Sequence, residues 1–99
     1  MDGIRYEFET SLFRWAARRE LWVFARLPDE IADEIRDMPL RRGGFDSVKI
    51  IATLGSSRWS TSIFPEPDGG YVLAVKKVIR VREGVDLGDR VRMSIEAVV

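Results

Sequence analysis

Apolar and polar residues alternate from Ile4 to Leu12: Ile4, Tyr6, Phe8, Thr10 and Leu12 share one side, Arg5, Glu7, Glu9 and Ser11 the other. A period of two marks a half-buried strand, because successive side chains point to opposite faces. Leu21 to Leu27 predicts a second strand, with Val23 and Ala25 opposite Trp22 and Phe24. Arg14 to Glu20 joins the two as a hairpin. At Pro28 the period changes. Proline is tolerated in a first helical turn, Asp29 and Glu30 suit the positive end of a helix dipole, and Ile31, Ile35 and Met38 keep helical spacing with Ala32 beside them. Pro39 prevents continuation.

Beyond the loop Arg41-Arg42-Gly43-Gly44, Val48, Ile50, Ala52 and Leu54 alternate with Lys49, Ile51 and Thr53 in a third strand. Gly55-Ser56-Ser57 is a turn, Arg58 to Phe64 a fourth strand, and Pro65-Glu66-Pro67-Asp68-Gly69-Gly70 a second turn. Tyr71 to Arg82 has two readings: one long strand, or a strand broken after Lys76 by a short helix with Gly84 at its C-terminal end. Asp89 to Val99 is the last strand, with Val91, Met93, Ile95 and Ala97 inward and Arg90, Arg92, Ser94 and Glu96 outward.

The chain repeats itself weakly. Phe24 to Ile31 overlays Val72 to Ile79, and Phe45 to Ile50 overlays Gly88 to Met93. Each half then reads as hairpin, short helix and strand, with pseudo-repeats of approximately 1–56 and 57–99. That match favours the helical reading after Lys76.

Composition narrows the chemistry. The 99 residues form one domain, and 45% hydrophobic content is enough for a packed core. Sixteen basic residues balance sixteen acidic ones, and thirteen of the basic residues are arginine. Cysteine and histidine are absent, which removes disulfides, thiolate nucleophiles, imidazole bases and most zinc sites. No secretory signal or membrane-spanning run is visible, so the expected setting is cytoplasmic and without membrane contact.

Val75-Lys76-Lys77-Val78-Ile79-Arg80, followed by Gly84-Val85-Asp86-Leu87-Gly88-Asp89-Arg90-Val91, resembles the helix and Gly-Asp-x-Val turn of AbrB/MazE-like double-split barrels. Nearly the whole chain resembles a more specific relative, the bacterial domain of unknown function numbered nineteen hundred and five. That family's aromatic strand, Leu-Pro, Thr-Ser-x-x-Pro, Asp-Gly-Gly-Tyr and Lys-Lys-x-x-Arg are met by Trp22 to Pro28, Thr61 to Pro65, Asp68 to Tyr71 and Lys76 to Arg80. The resemblance implies a mainly β fold, a small double-split β-barrel (AbrB/MazE-like) with one or two short helices. One chain would supply the two halves that AbrB-like proteins assemble from two. It implies no activity.

Lys76, Lys77, Arg80, Arg82, Arg90 and Arg92 form the densest basic cluster. On a helix, Lys76, Lys77 and Arg80 lie within one turn and can hold a phosphate or carboxylate. The alternative, a solvated face whose arginine stems cover apolar surface, is the stronger reading. The first helix is the opposite, with Asp29, Glu30, Asp33, Glu34 and Asp37 against Arg36 alone. Trp15, flanked by Arg14 and Arg18, is the foremost candidate for an exposed stacking contact, and Arg58-Trp59 the second; core filling is the stronger reading for Trp22 and Trp59. Gly84 and Gly88-Asp89 lack the Lys-Ser/Thr ending of a phosphate loop and read as a helix end and a strand entry, with Asp89 bonding backbone amides.

Catalytic, cofactor and metal residues are assigned to none. The sequence points to a non-enzymatic binding or interaction domain for an anionic or protein partner, a monomeric pseudo-dimer in preference to a homodimer. An AbrB-like DNA-binding regulator is the second reading, opposed by zero net charge. A small-molecule barrel is third, because the crowded Ile, Val and Leu faces suggest a filled interior.

Overall fold

A computed structural model describes residues 3–14 and 22–98. The N-terminal alternation becomes one long strand, β1 (Gly3–Arg14), and β2 (Val23–Arg26) runs back against its end with Leu12 opposite Ala25. Pro28 caps α1 (Asp29–Asp37), which ends at Met38, one residue before Pro39. A short turn, Gly44–Asp46, with Phe45 and Asp46 both at φ 57°, leads into β3 (Val48–Leu54), β4 (Ser57–Pro65) and β5 (Tyr71–Ala74). The ambiguous stretch divides after Ala74: α2 (Lys77–Glu83) follows, and Gly84, at φ 69°, turns the chain out of the helix in the left-handed conformation that glycine adopts without strain. β6 (Arg90–Val98) completes the chain.

The six described strands close into one antiparallel barrel in the order β1-β2-β5-β4-β3-β6. The fold is therefore mainly β, a small barrel with two short helices. Exchanging β1, β2 and β3 for β4, β5 and β6 leaves this set of neighbours unchanged. The registers obey the same exchange. The Leu27 N–H donates to the Tyr71 carbonyl at 3.0 Å, and the Val75 N–H to the Val23 carbonyl at 2.9 Å. In the β3–β6 ladder, Ile50 faces Ala97 as Leu54 faces Met93, on either side of the central pair Ala52 and Ile95.

The interior is filled by inward side chains of every strand, among them Leu12, Ala25, Ile50, Ile63, Leu73 and Ile95, with Ala32 and Ile35 of α1 and Ile79 of α2 packed on. Every strand has a neighbour on each side, although the described ladders pair residues 3–11 of β1 and 57–63 of β4 on one side only, and packed side chains make the barrel a core rather than a channel.

Two local expectations need correction. Phe24 is buried although it points away from Val23 and Ala25, because Trp22 stacks on it at 6.2 Å and Phe13 lies 6.1 Å away. Trp22 precedes β2 on that outer side, cannot reach the interior, and is 40% exposed rather than core filling. Ser94 is buried rather than outward. β6 is flanked by β1 and β3, and the short Ser94 side chain sits between Glu7 and Thr53, which shade it.

Leu73 is fully buried at the centre of the short β2–β5 ladder. Leu73→Ala is expected to cost about 2–5 kcal/mol, the range for emptying a leucine-sized core site, measured by urea denaturation at fixed m-value.

Candidate functional site

The paired bonds of Leu27 and Val75 fix the chain immediately before the N-caps of both helices, Pro28 and Lys76. The helices therefore start alike and turn alike. Counted from the caps, α1 directs Asp29, Glu30, Asp33 and Glu34 to solvent, and α2 directs Lys77, Val78, Val81 and Arg82. Inward, the two helices turn Ile31, Ala32 and Ile35, and Ile79, Arg80 and Glu83. At matching positions one helix is wholly acidic, and the other carries two valines between two cations.

This arrangement divides the basic cluster. Lys76, Lys77 and Arg82 are exposed on or beside α2, but Arg80 turns inward and is only 8% exposed. Its Nη1 donates to the Val75 carbonyl at 2.6 Å, and its Nε lies 3.3 Å from Asp86 Oδ1. Arg80 thus ties α2 to the strand before it and does not join the lysines. Arg90 and Arg92 are on β6, across the ladder from β1, where they pair with Glu9 and Glu7 at 3.3 and 3.4 Å. Arg58 pairs with Glu96 at 3.4 Å. Trp59 is half-buried against the core, and its indole N–H is buried without an acceptor among the described residues. Trp15 lies outside the described residues.

Several polar residues that sequence reasoning did not single out hold this frame. The Arg42 guanidinium donates to the Ile35, Arg36 and Met38 carbonyls at 3.1–3.3 Å and to the Tyr71 hydroxyl at 3.1 Å, satisfying the open C-terminal end of α1. Asp68 accepts the Gly70 N–H at 2.9 Å, a bond that, helped by nearby Arg26, holds its carboxyl below the usual carboxylate range. Arg26 itself pairs with Asp29, Glu66 and Asp68, and any Cβ at Gly70 would overlap its guanidinium. In the Gly84–Asp89 turn, the Asp86 N–H donates to Asp89 Oδ2 at 2.8 Å, the backbone bonding expected of Asp89.

Glu83 joins α2 to the β3–β4 turn. It accepts from Ser57 Oγ at 2.6 Å, Ser56 Oγ at 3.0 Å and the Ser56 N–H at 3.2 Å. Gly55, at φ 59°, lies so close to this carboxylate that a Cβ would overlap it. The spacing Gly55-Ser56-Ser57 announces a turn, but nothing local announces a partner 26 residues away.

A shallow cleft of about 300 Å³ beside Val81 is lined by Lys77, Arg80, Asp86 and Asp89, two cations against two carboxylates, so it selects no one charge. A second, of about 280 Å³, mixes Arg26 and Arg90 with Glu9 and Asp29. Among the described residues no group of three or more carboxylates is placed to hold a metal ion. No helix among them is long and apolar enough to cross a membrane.

Hydrogen bonds from Ser57 and Ser56 hold the Glu83 carboxyl below its ordinary value of 4.5. A carboxyl with a lowered folded-state pKa gives stability that is complete above the unfolded value and fades as pH falls through the folded one. Glu83→Gln should therefore lower Tm at neutral pH, and the gap to the unsubstituted protein should narrow below about pH 4.5. Thermal melts across pH 3–7 check both.

Against known proteins, no curated protein and no solved structure matches the chain. One family model, described as "Domain of unknown function (DUF1905)", matches residues 8–95. The match takes in all but the two ends, spanning the barrel strands, both helices and the turns that Arg26, Arg42 and Glu83 hold, and the chain belongs to the DUF1905 family.

Proposed function

We propose that this protein is a non-enzymatic interaction domain that meets a protein partner through the outer face of α2. The observation that carries the reading is the pair Val78 and Val81, 58% and 71% exposed between Lys77 and Arg82. A helix lying on a core needs only a polar outer face, which α1 has at the matching positions. Two exposed valines rimmed by cations have instead the make-up of a contact patch, with an apolar centre and a charged border. Lys76, exposed at the N-cap, adds a third cation beside it.

A protein partner is favoured over duplex DNA because Arg58, Arg90 and Arg92 stand opposite glutamates and the net charge is zero, whereas phosphate binding draws on excess cations. A non-enzymatic role is supported by the lack of cysteine and histidine. The same proposal holds that the two halves arose as a repeat, one chain supplying both in a cytoplasmic protein. The exchange symmetry of the strand order supports that reading.

The test is an amide chemical-shift titration with two probes, an acidic amphipathic helical peptide and a short DNA duplex. The peptide is expected to move the Lys77–Glu83 amides saturably. Val78→Ser/Val81→Ser should abolish that response while stability changes by no more than about 0.5 kcal/mol, the scale of surface substitutions. Peptide silence at α2, or saturable shifts around Arg58, Arg90 and Arg92 with the duplex, overturns the reading.

A further inference from the structure

We infer that the α2 face takes the α1 face of a second copy of this chain, so that the domain associates head to tail. The inference rests on α2 being a contact surface and names its occupant. Three observations point to this occupant.

The first is charge. At the four matched outward positions α1 offers Asp29, Glu30, Asp33 and Glu34, where α2 offers Lys77, Val78, Val81 and Arg82. Both members of a complementary pair are thus present in one molecule, on helices that start and turn alike. An α2–α2 contact would oppose Lys77 and Arg82 to their own copies, and an α1–α1 contact would oppose carboxylates. The α1–α2 contact alone joins unlike charges, and like charges facing one another select against the other two.

The second is net charge. The chain carries sixteen basic and sixteen acidic residues, so no overall repulsion keeps copies apart. With the total at zero, segregation of the signs onto two helices lets unlike ends of neighbouring copies attract one another at a distance. Salt screens that attraction.

The third is the apolar centre. Val78 and Val81 gain from leaving water, and the methylene stems of Glu30 and Glu34 can lie over them while the carboxylates reach the flanking cations. The contact uses a different surface on each copy. It is therefore heterologous, and each added copy presents a fresh α1 or α2 until a ring closes.

Charge exchange tests this. One variant, Lys77→Glu/Arg82→Glu, has two acidic helices; a second, Glu30→Lys/Asp33→Lys, has two helices bearing cations. Sedimentation at low salt is expected to show the unsubstituted protein gaining mass with concentration and losing that gain on going from about 0.1 to 1 M salt, where the screening length falls from about 10 to 3 Å. Each variant alone should remain monomeric, and their equimolar mixture should associate again. Circular dichroism melts confirm that both variants are folded. A protein that stays monomeric throughout, while its α2 amides still answer the acidic peptide, overturns the second-copy inference and leaves the contact face standing. Silence in both experiments removes both. Association that survives both charge exchanges also overturns the inference, because it must use another surface.

Discussion

The short ladder between β2 and β5 is the interaction on which the rest of the molecule depends. Each strand has only four residues, yet the bonds from Leu27 to Tyr71 and from Val75 to Val23 close the barrel at the points where the helices begin. β2 and β5 each have a strand on both sides, so their register is fixed by hydrogen bonding and by the buried Ala25 and Leu73 together. That register gives α1 and α2 equivalent starting points. Their outer faces can be compared position by position only because of it.

The residues that carry the family resemblance are mostly occupied in holding this frame. Pro28 caps α1, and Asp68 and Gly70 shape the turn beneath Arg26. Tyr71 receives a bond from Arg42, which closes the C-terminal end of α1. Arg80, the arginine of Lys-Lys-x-x-Arg, bonds the Val75 carbonyl. A motif of this kind specifies a barrel and says little about what the barrel meets. Specificity then falls to positions the fold leaves unconstrained, and the outer face of α2 is one place where such positions hold apolar side chains against the demands of solvation.

Most of the fold was legible because its signals are local. Alternation in β1, β3 and β6 survives from sequence to structure, and so do Pro28 at a helix start and Gly84 at a helix end. The overlays set Phe24 on Val72 and Ile50 on Met93, positions that change places when the two strands of the β2–β5 and β3–β6 ladders are exchanged. What was not legible depends on contacts across the fold. Phe24 is buried on the outer side by aromatic neighbours, and Arg42 and Glu83 find partners far away in the chain. Phe45 is 90% exposed at φ 57°, and nothing in the structure explains an aromatic side chain there. The basic cluster was legible as composition but not as geometry. Helical spacing places Lys77 and Arg80 within one turn of each other, whereas packing of the seven-residue helix on the core leaves Lys77 outward and turns Arg80 in.

The outer faces of α1 and α2 are complementary in charge, and a dilution series of amide spectra at low salt tests that relation most directly. The Asp29–Asp37 and Lys77–Glu83 amides are expected to move together with one midpoint, while the barrel ladders stay still. Shifts confined to the aromatic side of β1 and β2, around Phe13 and Trp22, with both helices unmoved, would contradict it.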